Sequence, residues 1–285
     1  MPELPEIETI KLQLQKVLIG QTSLKFEILN IKTIRGDLKR IVGRKVEAIE
    51  RLGKVLLIKF ADDIRLGFHF KMTGQLIYDP TSPKATLGAG RIVGGHPTED
   101  FINKLPSKHT RVILYFSRGT LYFNDQRKFG WVEINPKFVE NLGPEPINMT
   151  SDEVNQVMKL IKRLRRPIKV VIMDQKIICG VGNIYANDAL WESGIHPNTS
   201  CTQLSEKKLK LLFEKIILVL NEGIKYGGAT AANYVDLHGL GGHYQDHFRV
   251  YNREGLPCFR CETKIQKITL GGRGTYYCPN CQKSL

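Results

Sequence analysis

The chain has 285 residues, with 42 Lys and Arg against 28 Asp and Glu and a formal net charge of +14. Hydrophobic residues at 42% and charged residues at 25% exclude a wholly disordered or collagen-like chain and fit one large folded domain or two ordinary ones. The basic excess points to a polyanionic partner, although a surface kept soluble by lysines gives the same count.

The opening Met1-Pro2-Glu3-Leu4-Pro5-Glu6 carries acids where a secretory signal needs a basic start, and no apolar run reaches bilayer length. The expected location is therefore the cytoplasm, with no membrane partner. Ile7, Ile10, Leu14 and Val17 at helical spacing predict a helix over 5–19, ended by Gly20. Short β-like runs follow at 24–31, 45–51, 54–60, 63–70, 111–117 and 120–124. The last two form a hairpin about Ser117-Arg118-Gly119, and so many strands after one helix suggest a sandwich or barrel. Residues 80–108, rich in Pro, Gly, Thr and Ser, read as one long loop.

Asn141-Leu142-Gly143-Pro144-Glu145-Pro146 ends regular structure and marks a boundary. Beyond it, Thr150 and Glu153 make a capping box for a helix whose core face carries Val154, Val157, Ile161 and Leu164. Its other face carries Lys159, Lys162, Arg163 and Arg166, a stripe that suits phosphates or plain solvation. Further helices are expected over 184–192 and 205–222. Leu209, Leu212, Ile216 and Val219 form the core face of the second.

Cys258-x2-Cys261 and Cys278-x2-Cys281 stand sixteen residues apart. This is four-thiolate zinc spacing, and four sulfurs close a tetrahedral shell, so one structural zinc ion is expected. Between the pairs a strand, a turn and a strand present Arg273 at a tip, either as a reader of phosphate or as part of a purely structural clip. Pro2 carries different chemistry. Once Met1 is removed it exposes a secondary amine, which can attack a sugar carbon to give an iminium ion and so ease elimination at neighbouring carbons. Glu3 beside it can move protons. Taken alone, the same residues are also an ordinary helix start.

These residues do not stand alone. Pro2-Glu3-Leu4-Pro5-Glu6-Ile7-Glu8, Gly53-Lys54-Val55-Leu56-Leu57, His69-Phe70-Lys71-Met72-Thr73-Gly74, Asp125-Gln126-Arg127-Lys128-Phe129-Gly130, Gly180-Val181-Gly182-Asn183-Ile184-Tyr185-Ala186 and the four-cysteine segment occur in one order. Together they resemble the bacterial formamidopyrimidine-DNA glycosylase family over essentially the whole chain. The resemblance implies an α+β fold, with an N-terminal β-sandwich flanked by helices over 1–135 and a linker over 136–150. A helix-two-turn-helix domain over 151–240 and a zinc finger over 241–285 would follow, with DNA in the cleft between domains. It implies a monomer acting on double-stranded DNA that holds oxidised bases or abasic sites, excising oxidised purines and then cleaving the strand by β,δ-elimination.

Carried over by position, the resemblance makes Pro2 the nucleophile and Glu3 the proton donor, with Lys54 near the lesion phosphate and Glu6 supporting the N-terminal site. Met72, Arg127 and Phe129 would fill the stack vacated by a flipped nucleotide, Asn183 and Arg273 would clamp phosphate, and His109 and Lys169 would contact the DNA backbone. An endonuclease VIII-like enzyme for oxidised pyrimidines and a non-catalytic binder of damaged DNA are the alternatives. The sequence departs from the family pattern at Arg111, at Asp188, in Gly227–Tyr234 and in the length of the 80–108 stretch.

Overall fold

Helix α1 (Leu4–Leu18) begins at a capping box, with Glu3 at the N-cap and Glu6 three residues on. Its apolar stripe of Leu4, Ile7, Ile10, Leu14 and Leu18 is buried. The computed structural model describes residues 1–80, 91–95, 100, 104–229 and 242–283. They divide into two units, one of residues up to Glu140 with Gly227–Ala229 and Gly242, the other of Asn141–Tyr226 and His243 onward.

In the first unit, ten strands follow α1: β1 (Ser23–Ile28), β2 (Ile34–Arg35), β3 (Val46–Leu52), β4 (Val55–Phe60), β5 (Ile64–His69), β6 (Gly74–Pro80), β7 (Ile92–Gly95), β8 (Thr110–Phe116), β9 (Gly119–Asp125) and β10 (Trp131–Ile134). They form two five-stranded sheets, ordered β1-β8-β9-β6-β7 and β2-β10-β5-β4-β3. The main core lies between the sheets and α1, and includes Leu56, Ile58, Phe60, Phe68, Leu114 and Phe123.

Strand β4 is buried on both faces. Leu56, Ile58 and Phe60 enter the main core, while Val55 and Leu57 pack with Trp131 in a separate apolar cluster on the other side. Alternation of side chains across a strand produces this division and explains the unbroken apolar run Val55-Leu56-Leu57-Ile58. The chain passes from the second sheet to the first between β5 and β6, and back again between β9 and β10. His69 pairs with Trp131, and Gly74 pairs with Asp125, so both passages lie at the same end of the sandwich.

The predicted hairpin is present, with β8 and β9 turning at Ser117-Arg118 and Phe116 paired to Gly119. Strands β2, β6, β7 and β10 fall outside the predicted runs. β7 stands inside the stretch read as one loop over 80–108; residues 81–90, 96–99 and 101–103 of that stretch lie outside the described residues. A four-residue edge strand with two glycines has no alternation to detect. Gly94 is nonetheless required, because a Cβ there would overlap Ile10 Cγ1 of α1.

The second unit contains α2 (Ser151–Lys162), α3 (Ile168–Ile172), α4 (Asn183–Glu192), α5 (Glu206–Lys225) and the hairpin of β11 (Gln266–Leu270) and β12 (Arg273–Tyr277). α4 and α5 pack closely enough that a Cβ on Gly223 would stand 2.5 Å from the Tyr185 ring. Residues from Asn141, expected to be part of a linker, are tied into this unit. The Gly143 N–H donates to Gln175 O at 2.8 Å and the Cys179 N–H to Pro144 O at 3.0 Å. Among the described residues no helix is long and apolar enough to cross a membrane.

Gly94→Ala is expected to lower stability by about 1–3 kcal/mol through overpacking against α1. Read from urea midpoints, the Gly94→Ala, Ile10→Ala double variant should lose less than the sum of the single variants.

Candidate active site and metal centre

Pro2 and Glu3 are buried at the start of α1, Glu3 being 3% exposed. Glu6 holds this turn: Oε2 accepts from the Glu3 N–H at 2.7 Å and Oε1 from the Ala229 N–H at 2.7 Å. Gly228 lies against the same side chain with φ +84°, and a Cβ there would stand 2.8 Å from Glu6 Cγ. Close approach and positive φ together favour glycine. Of the divergent stretch Gly227–Tyr234, residues 230–234 lie outside the described residues. With Met1 attached the Pro2 nitrogen is an amide, so nucleophilic chemistry requires its removal.

Lys54 follows Gly53 (φ +56°) in the tight turn between β3 and β4, and is 6% exposed. Arg51 sets that turn, its Nε donating to Glu8 Oε2 at 2.8 Å and its Nη1 to Gly53 O at 3.2 Å. Burial pushes the Glu8 carboxyl up, but Lys11 and Arg51 outweigh it and hold the group below its ordinary value.

His69, at the end of β5, pairs with both Val55 and Trp131, and its ring packs on Trp131 and Phe138 with centroids at 5.5 and 6.2 Å. Burial, then the charges of Lys71, Lys54 and Arg35, pull its pKa down to about 3. The ring is thus neutral at neutral pH. Nδ1 accepts from the Lys71 N–H at 3.1 Å, which assigns the proton to Nε2 as a donor. Burial and Arg35 also lower the Lys71 pKa. A neutral N–H donor beside three cations suits an anion. The sequence reading gave His69 no role, although it opens the segment that carries Met72; its partners across the sheet are non-local and leave no periodic trace.

Met72 and the pair Arg127 and Phe129 stand on the two inter-sheet passages. Phe129 is 56% exposed, and the Arg127 guanidinium lies over its ring at 4.9 Å. A large aromatic displayed to solvent on a tight loop is poor core packing and good wedge chemistry. The His109 Nδ1 meets Asp100 Oδ2 at 3.0 Å, a carboxylate that also accepts from Asn124 Nδ2 at 3.2 Å, leaving Nε2 for other partners. Arg111, the cation that departs from the family pattern, is spent on backbone carbonyls: Nε donates to Asp125 O at 2.8 Å and Nη1 to Lys108 O at 3.1 Å.

In the second unit the Asn183 Nδ2 donates to Gly274 O at 3.0 Å, and Arg273 is exposed at the β11–β12 tip. Lys169 is 1% exposed, and its ammonium donates to Thr275 Oγ1 at 2.6 Å and Gly274 O at 3.2 Å. These bonds tie it to the hairpin that carries Arg273. Asp188, fully buried, accepts from the N–H groups of Val250 and Tyr251 at 3.1 and 3.2 Å. Burial outweighs those bonds and raises its pKa to about 6. Asp188 therefore fastens the chain that enters the finger.

Cys258, Cys261, Cys278 and Cys281 bring their sulfurs within 4.8 Å of one another. N–H groups face these sulfurs, Trp191 Nε1 to Cys258 Sγ at 3.3 Å and the Cys281 backbone to Cys278 Sγ at 3.4 Å. Such donors suit thiolates, so the set fits one structural zinc ion in a closed shell. The finger is also fixed to α4, where Asn187 Oδ1 accepts from the Tyr276 N–H at 2.8 Å.

Residues 1–132 match the formamidopyrimidine-DNA glycosylase N-terminal domain, 142–234 the formamidopyrimidine-DNA glycosylase H2TH domain and 255–283 the zinc finger found in FPG and IleRS. The chain is 35% identical over 294 residues to the formamidopyrimidine-DNA glycosylase of Ligilactobacillus salivarius, covering 99% of each. It is 38% identical over 299 residues to that of Desulforamulus reducens, covering 100% of both. Among solved structures it is similar to a complex between the Lactococcus lactis Fpg and an abasic-site-containing DNA (TM-score 0.82, 31% identity, 99% of this chain and 100% of that chain). It is also similar to the Lactococcus lactis Fpg with a Fapy-dG-containing DNA (TM-score 0.81, 32% identity, the same coverage).

The lowered pKa of His69 sets a pH dependence. An unfolded histidine takes its proton near pH 6.5 and the folded one near 3, so stability from the neutral ring is complete above 6.5 and is lost as pH falls through that window. The drop in urea midpoint from pH 7 to pH 4 should accordingly be smaller in His69→Gln than in the parent. Chelation of zinc should disorder residues 258–281, change Trp191 fluorescence through loss of its bond to Cys258, and weaken binding to duplex DNA. Unchanged affinity after metal loss would remove the finger from the DNA interface.

Proposed function

The chain belongs to the formamidopyrimidine-DNA glycosylase family, and from that premise we propose that Pro2, freed of Met1, is the nucleophile of its chemistry. The protein is a bifunctional DNA glycosylase and abasic-site lyase of base excision repair, acting on oxidised purines such as 8-oxoguanine and formamidopyrimidines. The observation that supports the assignment is the N-terminal turn itself, in which Pro2 and Glu3 are buried and the Glu3 N–H is bonded to Glu6 instead of fraying.

A base in a duplex stack cannot be reached by an amine at the start of a buried helix, so the damaged nucleotide must be turned out of the helix. The Pro2 nitrogen then attacks C1′, the C1′–base bond breaks and the base departs. Glu3 protonates the ring oxygen as the sugar opens, leaving an iminium ion between Pro2 and C1′. That ion takes up electrons when the C2′ proton is lost and the 3′ phosphate leaves, and again when the C4′ proton is lost and the 5′ phosphate leaves. Water finally releases the sugar remnant from Pro2.

Around this chemistry, Lys54 and the Nε2–H of His69 hold the lesion phosphate, Asn183 and Arg273 hold neighbouring phosphate, and His109 contacts the backbone. Met72, Arg127 and Phe129 fill the vacated stack, Arg127 pairing with the orphaned cytosine. Lys169 acts on the same phosphates indirectly, by fixing Gly274 beside Arg273. In this reading the enzyme works as a monomer in the cytoplasm, on nucleoid DNA, without a membrane partner.

Borohydride should trap a covalent adduct between the processed chain and an 8-oxoguanine duplex, more readily than with a thymine-glycol duplex. A chain bearing any residue before Pro2 should give none. Absence of adduct from chain shown by intact mass to begin at Pro2 would overturn the nucleophile assignment.

A further inference from the structure

The three stack-filling side chains sit on two separate passages of chain, which one buried carboxylate joins. Asp125 ends β9, is 1% exposed, and pairs with Gly74 at the start of β6. Its Oδ1 accepts from the Thr73 hydroxyl and from the Arg127 N–H at 3.2 Å; its Oδ2 accepts from the Gly130 N–H at 2.6 Å. Thr73 Oγ1 in turn accepts from the Arg127 N–H at 2.9 Å. Residues before and after this knot are equally fixed. The Gly74 N–H donates to Phe70 O at 2.8 Å, and Arg111 Nε donates to the Asp125 carbonyl at 2.8 Å. A Cβ on Gly130 would stand 2.8 Å from Phe123 Cζ and 3.1 Å from Asp125 Oδ2, and Lys128 already has φ +58°.

We propose that Asp125 is a positioning residue for the reaction. Together with Thr73, its carboxylate locks the Met72 passage to the Arg127–Phe129 passage, so that the three fillers enter the DNA stack as one preformed unit. The proposal rests on the reading that these three residues fill the vacated stack. Loops on a sandwich rim are ordinarily independent and mobile, whereas a charged acceptor bonded to donors from both restrains them together. Preformed fillers lose little freedom when the nucleotide leaves the stack, and misplacing them by about 1 Å is costly to catalysis.

Asparagine at 125 keeps the shape but not the acceptors. Whichever way its amide turns, the NH2 group faces a backbone N–H, that of Arg127 or that of Gly130. Asp125→Asn should therefore slow excision of 8-oxoguanine from duplex DNA by about tenfold to a hundredfold. It should also blur the distinction between cytosine and adenine opposite the lesion. Cleavage of a single-stranded abasic oligonucleotide, which has no stack to fill, should stay within about twofold of the parent because the Pro2 chemistry is untouched. Thr73→Val should repeat this pattern, and Thr73→Ser, which keeps the hydroxyl, should restore duplex excision.

Equal losses on duplex and single strand would make Asp125 a fold residue only and overturn the proposal. So would full duplex excision by Asp125→Asn while Arg127→Ala is impaired, an outcome that leaves the filling role standing. Full excision by both Arg127→Ala and Phe129→Ala would instead remove the filling role, and the proposal with it.

Discussion

A sandwich built from one chain must carry that chain over its rim, where backbone N–H groups leave the ladder and still need acceptors. In this protein two such passages leave from paired residues at one end of the sheets, 70–73 beside Gly74 and 126–130 beside Asp125. Side chains replace the missing ladder partners there, and that replacement fixes which residues the end of the sandwich displays. Phe129 is held in water and Arg127 over it because the Arg127 and Gly130 N–H groups on either side are bonded beneath them, not because either packs well. The same end carries His69, whose ring is neutral for lack of any way to solvate a charge between Trp131, Phe138 and neighbouring cations.

The net charge of +14 divides into cations that serve the fold and cations left for a ligand. Arg51, Arg111 and Lys169 are consumed inside, on Glu8 and on backbone or hydroxyl oxygens. Arg249 and Arg260 are both drawn to Glu192, next to the finger. Lys159 and Lys162 are exposed on α2 and Arg163 just past its end, while Arg166, beyond the helix, pairs with Asp174 at 3.1 Å. Long-range attraction to a polyanion arises from the whole count, whereas a short-range contact needs a cation whose donors are not already bonded within the protein.

Where the sequence was legible, the reason was local. The α2 capping box, the β8–β9 hairpin and each of the two Cys-x-x-Cys pairs are written within a few residues. Where it was not, the decisive partner was distant. β7 exists because β6 offers an edge, and β10 because β5 and β2 flank it, so neither short segment carries its own pattern. Nothing near Lys169 in the chain announces Thr275, more than a hundred residues on, which holds its ammonium. His69 and Asp125 belonged to motifs that the sequence analysis quoted, yet their chemistry comes from Lys71, Thr73 and Gly130 around them in space.

The two-sided burial of β4 has an evolutionary consequence. Leu56, Ile58 and Phe60 answer to the main core, whereas Val55 and Leu57 answer to the Trp131 cluster, and Val55 pairs with His69. Neighbouring positions on one strand therefore answer to different packing environments. Drift at 55 and 57 can reshape the platform under the histidine while the sandwich keeps its packing, and drift at 56, 58 and 60 is free to follow the core. Substitution can thus proceed along this strand in steps of two without first losing the fold.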